Sequence, residues 1–186
     1  KLIIMKKITI TCLLFITCLC VFAQDNEIGN NELKINMSNL IGFKWLDIGY
    51  EHILNEESTI GAGLLFSLDK ESMGLEEYRT FSLTPYYRHF FSNKYAQGFF
   101  VEVFSMLHSG EEEVYDSYYD SQSDSYIYND YENKYTDFAI GISAGAKWIS
   151  DRGFVAEIYA GIGRDLLNQN DVEVVGRGGV AIGYRF

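Results

Sequence analysis

The feature that most constrains this chain is an alternation that runs through eight segments and sorts charge as it goes. The last segment, Val172 to Phe186, shows it plainly. Val180, Ile182, Tyr184 and Phe186 fall on one face of an extended chain, while Gly179, Ala181, Gly183 and Arg185 fall on the other. The same period marks Glu32 to Asn39, Trp45 to Leu54, Thr59 to Leu68, Arg79 to Phe91, Gly98 to His108, Tyr135 to Trp148 and Phe154 to Arg164. Across all of them the apolar face carries no Asp, Glu or Lys. Its arginines are Arg79 and Arg164, both at segment ends. The opposite face carries Glu32, Lys34, Asp47, Glu51, Arg88, Glu102, Asp137, Lys147, Glu157, Glu173, Arg177 and Arg185.

Alternation alone fits a soluble barrel or sandwich, with the apolar face inward and the charges in water. Three features favour the inverse arrangement. The apolar band persists through every segment. Aromatics gather where that band should end: Phe91, Phe99, Trp148, Phe154, Tyr184 and Phe186 toward one rim, with Phe66, Phe81 and Phe138 toward the other. The polar face is rich in glycine, which makes room for Tyr86, Phe100, Phe104, Tyr159 and the arginines inside a narrow barrel. The expected fold is therefore all-β, an eight-stranded antiparallel up-and-down transmembrane β-barrel with lipid outside. Its segments have roughly the 9–11 residues that a tilted membrane strand needs. Short and longer connections largely alternate between the two rims, the longest being Ser109 to Lys134.

Eight strands leave an interior that side chains fill. Inward charges then need partners, and an ion-pair network is expected from Glu51, Arg88, Glu102, Lys147, Glu157, Arg177 and Arg185. A narrow polar path for small solutes is the transport alternative.

The first residues read as a processing signal. Met5 is the expected true start, with residues 1–4 upstream of it. Lys6 and Lys7 form a positive n-region, Ile8 to Phe22 a mostly apolar run, and Val21-Phe22-Ala23 a cleavage site after Ala23. Residues 24–31 form a short polar tail, and 32–186 form the barrel. Cys12, Cys18 and Cys20 all fall in the removed segment, so the mature chain has no thiol for a disulfide, a metal site or a nucleophile. The formal charge of −11, without a basic stripe, argues against nucleic acid as a partner. Outer-membrane lipid is the expected surrounding.

The segments Leu40-Ile41-Gly42, Gly49-Tyr50-Glu51, Pro85-Tyr86-Tyr87-Arg88-His89-Phe90-Phe91 and Gly183-Tyr184-Arg185-Phe186 resemble small outer-membrane β-barrel proteins of the OmpA/OmpX type, a family of barrels without an assigned activity. The resemblance covers about residues 32 to 186 and rests on architecture more than on a signature string. It implies an outer-membrane location. It also implies that the C-terminal strand, through Tyr184 and Phe186, is the part the barrel-assembly machinery recognises. No peptidoglycan-binding domain is expected after the last strand, a departure from full-length OmpA that counts against an expected wall tether.

Two stretches remain as candidates for chemistry. Residues 109–134 are expected to form an acidic, Tyr-rich extracellular loop. There Glu111, Glu112, Glu113, Asp116, Asp120 and Asp124 are a weak candidate set for Ca²⁺, and the loop could meet an extracellular ligand. The spacing is not that of an EF-hand. His52 and His89 fall on the apolar face, where packing roles are expected. His108-Ser109 is similar to the His/Ser pairs of lipid-modifying barrel enzymes only as a dipeptide. With no phosphate-cradling loop, metal cluster or nucleophile elbow, the chain is expected to be no enzyme and to take no cofactor. A structural or surface-interaction role follows.

Overall fold

The computed structural model describes residues 29–68, 79–120, 125–167 and 174–186, and for 112–133 the backbone pairing alone. The strands are β1 (Asn31–Asn36), β2 (Trp45–Asn55), β3 (Ser58–Ser67), β4 (Phe81–Phe90), β5 (Gly98–Asp120), β6 (Ser125–Ile149), β7 (Phe154–Asp165) and β8 (Val174–Arg185), with a short helix α1 (Met37–Phe43) between β1 and β2. Each strand pairs with the next, and β8 pairs antiparallel with β1, so the sheet closes into an eight-stranded barrel as the alternation predicts. Closure leaves the barrel wall with no free edge. No helix among the described residues is long and apolar enough to cross a membrane, which says nothing of crossing by strands.

The register sorts the two faces around the whole circumference. Outward, Ile35 meets Ile48, Ile48 meets Leu64, and Leu64 meets Leu83. The ring continues with Val103 opposite Ile142, Ile142 opposite Ile162, and Ile158 opposite Val180. Inward, Glu32 lies opposite Arg185, Arg88 opposite Glu102, and Lys147 opposite Glu157. Burial is accordingly inverted. Ile142 is 61 % exposed and Ile162 60 %, whereas Arg88 is 1 % and Lys147 0 % exposed. A protein surrounded by water would not carry that pattern, because apolar area belongs out of water and charge in it.

Two local devices make the wall possible. Gly61 lies opposite Tyr86, and a β-carbon there would run into the Tyr86 ring, so the glycine is what lets an aromatic ring lie across the narrow lumen. Gly179 in β8 takes φ 142°, and a β-carbon there would strike the side chains of Asn36 and Ser38. Pro85 sits in β4 facing outward and lacks an N–H. The β4–β5 ladder accordingly pairs Leu83 with Leu107 and Tyr86 with Phe104, with no paired residues at Thr84 and Pro85.

The rim carrying the short turns is closed. The 91–97 connection folds beneath the lumen and buries Ala96 completely, in a cluster with Ile53, Phe90, Phe100, Tyr159 and Ala181. Ala96 N–H donates to Glu56 O at 2.7 Å, and Arg185 donates to the carbonyls of Tyr95 and Ala96 at 3.1 and 2.9 Å.

Three sequence expectations are corrected. The first strand stops at Asn36, not Asn39, because Asn36 turns to cap α1: its side chain accepts from Asn39 N–H at 3.2 Å, and Lys44 ends the helix in the left-handed region at φ 54°. Residues 109–134 are not one loop. The β5–β6 ladder continues to Asp120 opposite Ser125, leaving 121–124 between the strands. Their Tyr, Val and Ile content suits a paired ribbon despite the acids. Arg79, assigned to the lipid face, is 8 % exposed and turned inward, because the β4 ladder begins only at Phe81 and strand parity does not reach back to it.

Candidate functional site

The lumen is filled from the short-turn rim upward by one connected set of charges. Lowest, Arg185 Nε donates to Glu32 Oε1 at 2.8 Å, and Lys147 Nζ reaches Glu32 Oε2 at 2.8 Å and also Glu51. Above them, Arg88 lies at the centre. Its Nε bonds Glu102 Oε2 at 2.6 Å, its Nη1 bonds Glu51 Oε2 at 2.9 Å and Glu157 Oε2 at 2.8 Å, and its Nη2 bonds Glu157 Oε1 at 3.3 Å. Lys34 on β1 joins Glu51 of the neighbouring β2 and Glu157 of β7. Arg177 Nε closes the top by donating to Glu102 Oε1 at 2.8 Å, where Ser143 Oγ also donates at 2.9 Å.

Aromatic rings brace this layer. The Arg88 guanidinium lies 4.4 Å from the Phe100 ring centre and 4.6 Å from that of Tyr86, and Arg177 lies 5.1 Å from Tyr86 and 5.3 Å from Tyr159. The free space left among Lys34, Arg88, Glu157 and Arg177 is about 20 Å³, room for roughly one water. Five cations and four glutamates thus occupy this part of the lumen.

The seven residues named from sequence all meet in this set, and Glu32 and Lys34 complete it. Both were legible as inward residues of the first segment. What sequence did not supply was their partners, since Glu32 meets Lys147 and Lys34 meets Glu157 on strands that β1 does not pair with.

Above Arg177 the lumen opens. A cavity of about 430 Å³ lies at the long-connection rim, lined among others by Trp45, Asp47, Arg79, Ser82, His108 and Tyr135. Asp47 there accepts from the side-chain amides of Asn36 at 3.1 Å and Asn39 at 2.8 Å. His108 Nε2 lies 2.8 Å from Asp165 Oδ1, with both residues buried. Asp165 was read as the start of a loop. Continuing the inward parity of Tyr159, Gly161 and Gly163 by one step would have found it.

The remaining candidates are dispersed. Glu111, Glu112, Glu113, Asp116 and Asp120 follow one another along β5, and nine steps of extended backbone put the first and last about 30 Å apart. Asp124 lies outside the described residues, as do 1–28 with the cleavage site, and Glu173. Glu111 pairs with Lys134 at 3.1 Å. His108 and Ser109, being sequential in a strand, point to opposite faces, so the dipeptide is no acid–base pair. Of the other histidines, His52 Nδ1 lies 2.9 Å from Asn31 Oδ1 and His89 packs edge-on to Phe91. Tyr184 packs edge-on to Phe154 at 5.6 Å, and Phe186 exchanges backbone hydrogen bonds with Asn31.

Comparison with known proteins agrees with this geometry. A family model described as "Protein of unknown function (DUF3575)" matches residues 9–185, and the chain belongs to that family. Among solved structures, the crystal structure of the N-terminal β-barrel domain of Pseudomonas aeruginosa OprF superposes with a TM-score of 0.50 at 12% sequence identity, covering 85% of this chain and 98% of that one. At that identity the likeness is one of fold, that of an outer-membrane-type barrel. No curated protein matches the sequence.

Proposed function

We propose that this member of the DUF3575 family is a non-conducting outer-membrane barrel, exported by its N-terminal segment, with a structural or surface-interaction role. The observation that carries the reading is the charge layer centred on Arg88, which leaves about 20 Å³ at mid-lumen. A hydrated ion needs a continuous path, and a single water site surrounded by paired charges does not offer one. The lidded short-turn rim adds a second barrier, with Ala96 fully buried. Assembly runs through the last strand, whose terminal Phe186 is bonded to the first at Asn31. The β5–β6 ribbon is the part offered to the outside, where an extracellular ligand would meet it.

Purified barrel reconstituted in planar lipid bilayers is expected to give no stepwise conductance, and reconstituted liposomes no swelling in small sugars. Porin-level swelling would overturn the filled-lumen reading in favour of a small-solute pore. Deleting Phe186 is expected to reduce the folded protein recovered in the outer-membrane fraction; unchanged recovery would remove the assembly role.

A further inference from the structure

The charge layer satisfies itself, but the cavity above it does not. Among the described residues, four buried side-chain atoms lack a hydrogen-bond partner, and three of them are Arg79 Nε, His108 Nδ1 and Asp165 Oδ2. Arg79 and His108 both line the 430 Å³ cavity, and Asp165 is the partner of His108. A buried polar atom without a partner costs about 1–3 kcal/mol, so three gathered at one end of the lumen need an explanation.

Arg79 is the informative one. It is 8 % exposed, its Nη2 donates to Gly176 O at 3.1 Å, and its guanidinium lies 5.9 Å from the Trp45 ring centre. No described carboxylate lies within ion-pair distance of it. Every inward cation of the layer below has a glutamate. A guanidinium braced on an indole, with no described carboxylate in ion-pair distance, leaves its remaining Nη–H groups to take a carboxylate or phosphate. Trp45 and Phe43 stand together at the same cavity, ring centres 5.1 Å apart, as an apolar wall. Asp47, fixed by Asn36 and Asn39, and Arg177 also reach the lining, so together with Arg79 they leave it one net positive charge, which suits a singly charged guest.

We propose that this cavity is a binding site for a small, singly charged organic anion, a carboxylate or phosphate on a flat apolar body. Its charged group sits on Arg79 and its body against Trp45, with the His108–Asp165 pair offering further polar contacts. The volume suits such a molecule, since small-molecule sites run about 300–1,000 Å³. The site needs no through-passage, and binding to the isolated barrel does not depend on which compartment the rim faces.

The chain has two tryptophans, and Trp148 lies on the outer surface near the opposite rim, 58 % exposed. In a Trp148→Phe background, Trp45 alone reports. The full barrel, folded in detergent, is titrated with benzoate, with inorganic phosphate and with neutral benzamide up to roughly 10 mM. Benzoate is expected to give a saturable change in Trp45 emission, and benzamide none. Phosphate binding as tightly as benzoate would place the recognition in the oxyanion alone and remove the apolar body from the proposal. Arg79→Gln is expected to weaken benzoate about tenfold or more, and Arg79→Lys, which keeps the charge but loses the fork, to lie between. Both variants are checked for β-sheet circular dichroism and for the gel shift on heating. The proposal fails if Trp45 responds to no anion, if benzamide binds like benzoate, or if a folded Arg79→Gln barrel binds like its parent.

Discussion

Arg88→Met is the sharpest perturbation of the lumen. It removes a guanidinium that makes four hydrogen bonds to Glu51, Glu102 and Glu157 while leaving a side chain of similar length. The carboxylates are not equally exposed to the loss. Glu102 keeps Arg177 and Ser143, and Glu51 keeps Lys147, Lys34 and Tyr86. Among the described residues, Glu157 keeps Lys34 alone. The layer changes from five cations and four glutamates to an even match, so net charge does not decide the effect. What decides it is buried oxygens losing donors. Breaking a buried, hydrogen-bonded ion pair by removing one partner costs about 3–5 kcal/mol, a large part of the roughly 5–15 kcal/mol that holds a domain folded.

The assay is reversible urea unfolding of the barrel in lipid vesicles, followed by tryptophan emission and by the mobility of unheated samples on gels. Adding Glu157→Gln to Arg88→Met should recover part of the loss, giving a coupling of about 0.5–3 kcal/mol, because the most depleted carboxylate is then neutral. A loss below about 1 kcal/mol for Arg88→Met would match an exposed pair and would refute the dry, filled lumen.

Other outcomes follow from the same geometry. Ile142→Lys, at a position 61 % exposed on the outer face, should cost about 2–4 kcal/mol in vesicles if the band meets lipid; a neutral effect would point to water there. Gly179→Ala, at φ 142° against Asn36 and Ser38, should destabilise by more than about 1 kcal/mol in the same urea assay, where Gly176→Ala, whose β-carbon meets open space, should change little. Deleting residues 111–132 should leave a heat-modifiable barrel, since β4 pairs with β5 only as far as Ser109 and β7 with β6 only from Ala139; loss of the folded band would mean the ribbon is needed for closure.

The barrel was legible because a strand's period is two and the two solvents differ. Leu64, Ile142 and Ile182 had to face one way and Glu51, Arg88 and Glu102 the other, so strand number, faces and the inward charge set could all be read from parity. Parity fails at strand ends, and the missed features lie there. The chain leaves the ladder after Asn36, whose side chain caps α1, and nothing in the alternation of Leu33, Ile35 and Met37 announces it. Arg79 turns inward two residues before β4 begins. Residues 109–134 looked like a loop because acids and serines outweighed their tyrosines, whereas Ser109 to Asp120 pair partner by partner with Ser125 to Thr136 as a ribbon. The cavity depends on which side chains from β2, β5 and β8 reach one another across the lumen, a distance that no local pattern encodes.

The inward charges also do something that the apolar band cannot. A one-residue slip between neighbouring strands would turn a whole face over and is excluded by the band. A two-residue slip keeps every Leu, Ile and Val facing out and costs the outer surface almost nothing, since one aliphatic neighbour serves as well as another. Inside, it is ruinous. Moved by two, Arg88 would stand opposite Phe100 or Phe104 instead of Glu102, Lys147 opposite Val155 or Tyr159 instead of Glu157, and Arg185 would lose Glu32. The glycines act in the same direction, because Gly61 must stay opposite Tyr86 for the ring to fit. The outer face therefore determines that the chain forms a barrel in an apolar surrounding, and the lumen determines which barrel. The charge layer, costly to bury and needless for holding apolar surfaces together, is the part that selects a single register around the closed sheet.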